Sequence, residues 1–520
     1  MERKHGFIVV GGGIAALTFA ARLVELGKKD IGIYTIAHGA TPYIAAINFV
    51  LPGNSFGDTP GQYAEDMMHA GYDIANRQLV EDMCAASYEG YMLMKRWGIE
   101  FALLGKGFPR LRKTSGSSLP RSLCSTDRLI GEQIIAQMTK GLEENGVTIH
   151  KDCEVLRLIK KDGKVCGITV KDCSTEVFNV FAGTVTAAWG GVGGILGLTT
   201  YPDDVSGRMF SEAFAAGARL VDMEFLEFEP MIVIDPPEAA GEPCPTAMLG
   251  EGAYLLNADL ERFILKSRPQ GEAGSSKTLL NKAIWGELKL GKGSPHGGVY
   301  VDLRHISEET LRMYPWFYHR LKRAGKNPAK ELIEVAPMAH SISGGIAVDR
   351  DYRSSVEGLY AIGEAAGSIH GACRIGGNAS SQAAVSGMIC AEAVAKIDST
   401  PTAMTLDTEY SQDPILEKTF VPRIKKLAAE ALGAFRCRET LEKSSEELSA
   451  MLSSGELNSD TATKQMALTV LIMVKAALAR EESRGVHIRT DFPLTDQDFE
   501  RGLLIQQGAN GLPEVRAKAC

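Results

Sequence analysis

A strand that runs into a glycine turn and then a helix stands at the head of this sequence, and it narrows the fold more than any other feature. Gly6-Phe7-Ile8-Val9-Val10 is short and apolar, Gly11-Gly12-Gly13-Ile14-Ala15-Ala16 follows in G-x-G-x-x-A spacing, and a helical stretch continues through Leu26. In that order Gly11 makes the turn, Gly13 lets a pyrophosphate approach the backbone, and the small Ala16 lets helix and strand pack closely. The helix N-terminus then faces the phosphate. The reading is a Rossmann-like α/β domain that binds a dinucleotide. The second strand, Ile31-Gly32-Ile33-Tyr34-Thr35, lacks the acid that commonly holds an adenosine ribose. Thr35 has to serve instead, and the choice between flavin and nicotinamide stays open on this evidence.

A chain of 520 residues is long enough for two to four domains. Its net charge of -8 argues against a nucleic-acid partner, which would want a basic face. An anionic small substrate would need a local cationic pocket. The ten cysteines include no C-x-x-C pair, and no histidine cluster has zinc spacing, so no metal is expected and the thiols read as free and structural. The start, Met1-Glu2-Arg3-Lys4-His5, has no signal-peptide pattern. The longest apolar run, Met466 to Leu478, is shorter than a membrane span and holds Lys475. The expectation is a cytoplasmic protein with no membrane span.

Further on, Val147 to Val170 reads as a three-strand meander closed by a Lys161-Asp162-Gly163-Lys164 turn. Val185 to Gly191 reads as a strand returning to the cofactor through Gly190-Gly191, with a plain loop as the alternative. A second glycine segment, His370-Gly371-Ala372-Cys373-Arg374-Ile375-Gly376-Gly377-Asn378, follows Gly363-Glu364 and puts a permanent cation beside a Gly-Gly turn. Glu364 can accept hydrogen bonds from cofactor hydroxyls, and Gly376-Gly377 lets backbone approach a ring system. Asp235 to Pro243 reads as a loop, and Ser399-Thr400-Pro401-Thr402 as a linker. The stretches 415–455 and 461–484 read as helices with solvated charged faces.

At this point several separated motifs, in order, resemble the flavoprotein family of fumarate reductase, succinate dehydrogenase and L-aspartate oxidase. They are the N-terminal glycine motif, Asp222-Met223-Glu224-Phe225, Gly250-Glu251-Gly252-Ala253 with Asn257 and Arg262-Phe263, and Val301-Asp302-Leu303-Arg304-His305. Pro337-Met338-Ala339-His340 with Gly344-Gly345 and Asp349, Gly358 to Glu364, and Arg480 to Pro493 complete the series. The resemblance implies non-covalent FAD, a Rossmann-like FAD-binding domain in two parts (1–225 and 342–400), an inserted α+β capping domain (226–341) and a C-terminal helical domain (401–520). It implies that His340 and Arg374 bind a substrate carboxylate, a donor and a cation suited to an anion. The cofactor-binding candidates are Gly11, Gly13, Ile14, Ala15, Ala16, Thr35, Thr41, Val155, Gly190, Glu364, Gly376, Gly377, Ala379 and Ser380.

The departures from the family pattern matter as much. Glu229-Pro230-Met231 stands where the family has His-Pro-Thr, so an acid replaces a carboxylate-binding histidine. Pro245 to Leu249 lacks the Glu and Arg of the reductases' proton relay. Lys277 aligns with the family's catalytic arginine, and a lysine can also move protons. Thr41 falls where the respiratory enzymes carry a flavin-linking histidine, Arg208 replaces the Asp of a Gly-Asp-Gly turn, and Cys373 replaces an Asn. The expected catalytic set is therefore Lys277, Glu229, His340 and Arg374. The expected activity is hydride exchange between flavin N5 and a carboxylate-bearing substrate, as 2-enoate reduction or as oxidation of an amino or saturated acid. The alternatives are a flavoprotein subunit that passes electrons to a separate iron–sulfur partner, and a flavin-binding scaffold without catalysis.

Overall fold

The computed structural model describes residues 3–517 except 106, 127–128, 198, 398 and 402–409. Thr402, the end of the expected linker, lies outside the described residues. The chain divides into two compact units, one of Met1–Gly197, Tyr201–Leu226 and Ser341–Cys520, the other of Leu198–Thr200 and Glu227–His340.

The first unit is built on a sheet whose centre is parallel. Strand β1 (Arg3–Val10) leads through the glycine turn into helix α1 (Ile14–Glu25), and β2 (Ile31–Tyr34) returns beside β1. Helix α2 (Ile130–Glu144) precedes β3 (Thr148–His150), β4 (Glu154–Lys161), β5 (Lys164–Lys171) and β6 (Val177–Ala187). Strand β7 (Leu359–Ala361) and helix α3 (Asn378–Val394) complete the set. The order is β3-β2-β1-β6-β5-β4, with β7 also pairing β6. β3, β2, β1, β6 and β7 run parallel, and β4 and β5 form an antiparallel hairpin through Asp162-Gly163. The central strands are continuous apolar runs, as a sheet covered on both faces requires. Helix α1 is alanine-rich because α3 approaches it closely: a Cβ on Gly387 would lie 2.4 Å from Thr18 Oγ1 and 2.5 Å from the Ala15 carbonyl oxygen.

The expected three-strand meander is corrected here. β3 pairs parallel with β2, Gly32 opposite Thr148 and Tyr34 opposite His150, at the far side of the sheet from β4. Helix α2 precedes β3 in the chain, and nothing in a short strand's own sequence tells such a parallel return from a hairpin neighbour.

The C-terminal residues carry the expected helices and add strands to them. The helices span Pro414–Leu432, Arg438–Ser453 and Thr461–Ala479, and then the chain turns to strands. Leu503–Gln507 pairs with Leu220–Val221 and with Pro513–Ala517, within the first unit. Thr461–Ala479 is long and apolar enough to cross a membrane by length and composition, yet 67% of its 18-residue window is buried within the protein. It is a core helix, without the solvated charged face expected of it.

The second unit carries a four-stranded sheet in the order Leu226–Asp235, Ile333–Ile342, Val299–Asp302, Tyr254–Leu256. Pro230 is tolerated because its strand lies at the edge. Its core is formed by Met231, Val233, Leu255, Ile284, Val301, Phe317 and Val335 among others.

In the first unit the His150 ring stacks on Tyr34 at 4.2 Å, and burial lowers its pKa from 6.5 to about 4. The native ring therefore stays neutral while an unfolded chain takes up a proton across that window, so this contribution is complete above pH 6.5 and is lost as pH falls towards 4. His150→Phe keeps the stack and removes the titration. Its melting temperature should rise relative to wild type as pH falls through the window; parallel curves would refute this role.

Candidate active site

The C-terminal ends of the parallel strands converge on a cleft of about 1070 Å³, including its solvent-open mouth. One wall is the glycine turn. Gly11 has φ +116, and a Cβ there would lie 2.2 Å from the Ala188 carbonyl oxygen, so only glycine lets β1 and the end of β6 close at this point. The next wall is the loop after β2. The Thr35 hydroxyl donates to the Ala37 carbonyl, His38 Nδ1 lies 2.9 Å from the Gly12 carbonyl, and Gly39 N donates to Asp204 at 2.8 Å. These bonds fold residues 35–41 over the turn.

Eleven of the expected cofactor residues line this cleft: Gly11, Gly13, Ile14, Ala15, Thr35, Thr41, Val155, Gly190, Glu364, Ala379 and Ser380. Ala16, Gly376 and Gly377 lie outside its lining. Ala16 is fully buried within α1. Gly377 adopts φ +81 as the residue before α3, and its missing Cβ makes room for Asn48, whose Oδ1 would be 2.6 Å away. Asn48 Nδ2 also donates to the Gly376 carbonyl at 2.8 Å. The Gly-Gly pair thus serves close packing of this turn.

Thr41 acts on the helix as well as on the cleft. Its hydroxyl accepts from Ile14 N at 2.9 Å and so caps α1, whose own Gly13 has no side chain to do it. Glu364 is held from two sides: Tyr201 OH donates to its Oε1 at 2.5 Å and Ile342 N at 3.0 Å. Burial, and then the Glu364 charge, push the Tyr201 hydroxyl well above its ordinary pKa, so it remains a donor. Arg208 ion-pairs with Glu154, itself in the cleft wall, which places this replacement's charge against an acid.

Sequence reasoning missed the loop 36–40, the turn 204–206 and the side chain of Trp189, all of which line the cleft. Trp189 Nε1 is buried with no hydrogen-bond partner. With the glycine turn and the fixed Glu364 carboxylate, these residues fit a dinucleotide.

The four expected catalytic residues divide between the units. In the first, Arg374 is 8% exposed; its Nη1 donates to the Ile375 carbonyl at 3.1 Å and its Nη2 to Ser341 Oγ at 3.2 Å. In the second, His340 Nδ1 lies 2.8 Å from Thr200 Oγ1, and Lys277 Nζ lies 2.6 Å from Glu229 Oε2. Lys277 and Glu229, two separate departures from the family pattern, are thus one ion pair, with side chains 13% and 11% exposed. Lys277 is the first residue of the helix Lys277–Lys289, capped by Ser276. A cation there opposes the helix dipole, and Glu229 offsets it. The second unit also gathers Asp235, His296 and Glu334, but Lys326 already lies 3.2 Å from Asp235.

Comparison with known proteins places these features. A family profile described as FAD binding domain matches residues 6–380, and one described as fumarate reductase flavoprotein C-term matches residues 437–519. The chain is 30% identical to the L-aspartate oxidase of Pyrococcus abyssi, over 95% of this chain and 97% of that one. It is 29% identical to a subunit of the fumarate reductase (CoM/CoB) of Methanothermobacter marburgensis, over 86% and 87%. The solved structure of Mycobacterium smegmatis Sdh1 shares the fold, with a TM-score of 0.86 at 24% identity over 100% of this chain and 94% of that one.

Proposed function

The chain belongs to the FAD-binding oxidoreductase family of fumarate reductase flavoproteins and L-aspartate oxidases, and from this premise we propose the roles of its residues and the class of its substrate. The substrate carries a carboxylate. The observation that carries this reading is Arg374, a buried permanent cation four residues before α3, whose Ala379 and Ser380 line the cofactor cleft. Its guanidinium is oriented by Ser341 and by the Ile375 carbonyl, which suits bidentate capture of a carboxylate. His340, oriented by Thr200, adds a hydrogen bond to the same class of group.

FAD, when bound, supplies hydride chemistry at N5. The chain must supply the proton. The Lys277–Glu229 pair is suited to this: the ammonium donates a proton towards the substrate carbon in the reductive direction, and the pair takes one up in the oxidative direction. Placing a lysine at a helix N-terminus against its dipole costs stability, and such local conflicts collect at functional sites. Gly11, Gly13, Ile14, Ala15, Thr35, Thr41, Val155, Gly190, Glu364, Ala379 and Ser380 are proposed to hold the cofactor. Thr41 offers no ring nitrogen to a flavin and is engaged with Ile14 N, which supports non-covalent FAD. The nine cysteines of the described residues are all free, which supports a reducing, cytoplasmic setting. A second reading, in which the chain exchanges electrons with a separate protein, is favoured by the relative that is one subunit of a fumarate reductase.

Purified protein should show a flavin spectrum, and acid precipitation should leave FAD in the supernatant; flavin in the pellet would contradict the Thr41 reading. Arg374→Gln should retain flavin and lose turnover of acids by about a hundredfold or more. Lys277→Met and Glu229→Gln should each slow turnover about a hundredfold or more, and the double variant should be no worse than the singles because the pair acts as one unit. Additive losses, or turnover at the wild-type rate, would exclude that role.

A further inference from the structure

From Phe101 to Thr126 the sequence holds Lys106, Arg110, Arg112, Lys113 and Arg121 and not one Asp or Glu, in a chain whose net charge is -8. Within it Leu103–Leu104 and Phe108–Pro109 form a two-stranded hairpin. Leu103, Leu104 and Phe108 are 56%, 66% and 39% exposed. Apolar side chains are not normally presented together on a hairpin tip beside cations unless something covers them. Arg110, Arg112 and Lys113 are exposed and form no ion pair among the described residues, whereas Arg121 is buried between Asp58 and Asp66. The buried cation anchors the segment; the side chains of the exposed ones enter no ion pair among the described residues.

The base of this segment is tied to the Arg374 turn. Thr114 Oγ1 donates to the Gly376 carbonyl at 2.9 Å, and Gly376 N donates to the Ser115 carbonyl at 3.0 Å. Gly376 lies between Arg374 and the Ala379-Ser380 pair that lines the cofactor cleft. We propose that the exposed side chains of Leu103, Leu104, Phe108, Arg110, Arg112 and Lys113 form the docking surface for an acidic one-electron carrier protein, which exchanges electrons with the bound flavin. This deepens the second functional reading and rests on the FAD assignment.

The chemistry favours a protein of that kind. Three unpaired cations around a small apolar centre match the make-up of a transient redox interface, which is small and steered by charge. The rest of the surface, acidic on balance, repels such a partner and so leaves this patch as the productive approach. In the reductive direction two carrier molecules each give up one electron, and with one proton from solvent these make the single hydride equivalent that the substrate receives. An anionic membrane would also attract the patch, but it would not explain the direct tie to the turn beside the cofactor cleft.

The test uses flavin-loaded full-length protein. Flavin reduction is followed with a pre-reduced acidic [2Fe-2S] ferredoxin as the probe, and separately with reduced methyl viologen. The variants are Arg110→Glu/Arg112→Glu/Lys113→Glu and Leu103→Ser/Leu104→Ser. The charge variant should lose at least about tenfold in the second-order rate with ferredoxin and should lose the wild type's salt dependence. The apolar variant should dissociate faster from ferredoxin, and the dye rate should be unchanged in both. No saturable reaction of wild type with ferredoxin, or equal rates in wild type and charge variant, would overturn the proposal. So would wild-type sedimentation with phosphatidylglycerol vesicles that the variants lose while their ferredoxin rates stay intact. Failure of the dye to reduce wild-type flavin would instead sink the FAD reading beneath it.

Discussion

The approach of Gly11 to the Ala188 carbonyl is the contact on which the rest of the first unit depends. It fixes where β1 ends against β6, and a side chain on Gly11 would have to displace that backbone. Because β2, β1, β6 and β7 run parallel, their C-terminal ends open on one side of the sheet, and the loops that follow them have one common destination. The cleft is the meeting of those loops. Thr41 then closes the N-terminus of α1 from a neighbouring loop, and Tyr201 and Ile342 turn Glu364 into a fixed acceptor. The site is built from backbone positions first and side-chain chemistry second, which is why small residues dominate its lining.

Much of this was legible in sequence because its signals are local. A glycine turn between a strand and a helix, the Asp162-Gly163 hairpin and the Gly363-Glu364 turn each announce themselves within a few residues. The loop 36–40 and the turn 204–206 do not, since a loop has no periodicity and its place is set by bonds to distant partners such as Gly12 and Gly39. The misplacement of β3 has the same origin: the strand was visible, but its neighbour was not. Gly376 and Gly377 show the converse, where the right residues were singled out and their closeness proved to be to Asn48.

The meeting of Lys277 with Glu229 was illegible for a different reason. Each was visible as a departure from a family pattern, and each was read on its own as a candidate catalytic residue. Only the fold shows that the two changes are complementary, one supplying the charge that the other requires. A buried pair of this kind is weak evidence for stability, because desolvation offsets most of the attraction. The lysine's place at a helix N-terminus is itself unfavourable, and Glu229 offsets that charge as well.

Arg374 illustrates how a chain can hold a cation in its interior. Three separate stretches press on its turn: Gly371 lies against Gly71, where a Cβ would meet the Gly71 carbonyl oxygen at 2.4 Å; Val486 N donates to the Ala372 carbonyl at 3.0 Å; and Gly376 N donates to Ser115. The Val486 segment is itself locked by buried charge, with Arg480 bonded to Glu224 and Glu482, and Arg484 to Glu482. Those arginines are balanced inside the protein, and removing one partner would leave a charge stranded. They act as scaffold. The turn they support keeps the Arg374 guanidinium buried, with Nη1 on the Ile375 carbonyl and Nη2 on Ser341. The motif near the C-terminus and the Arg374 turn are therefore one packed device, although more than a hundred residues of chain lie between them.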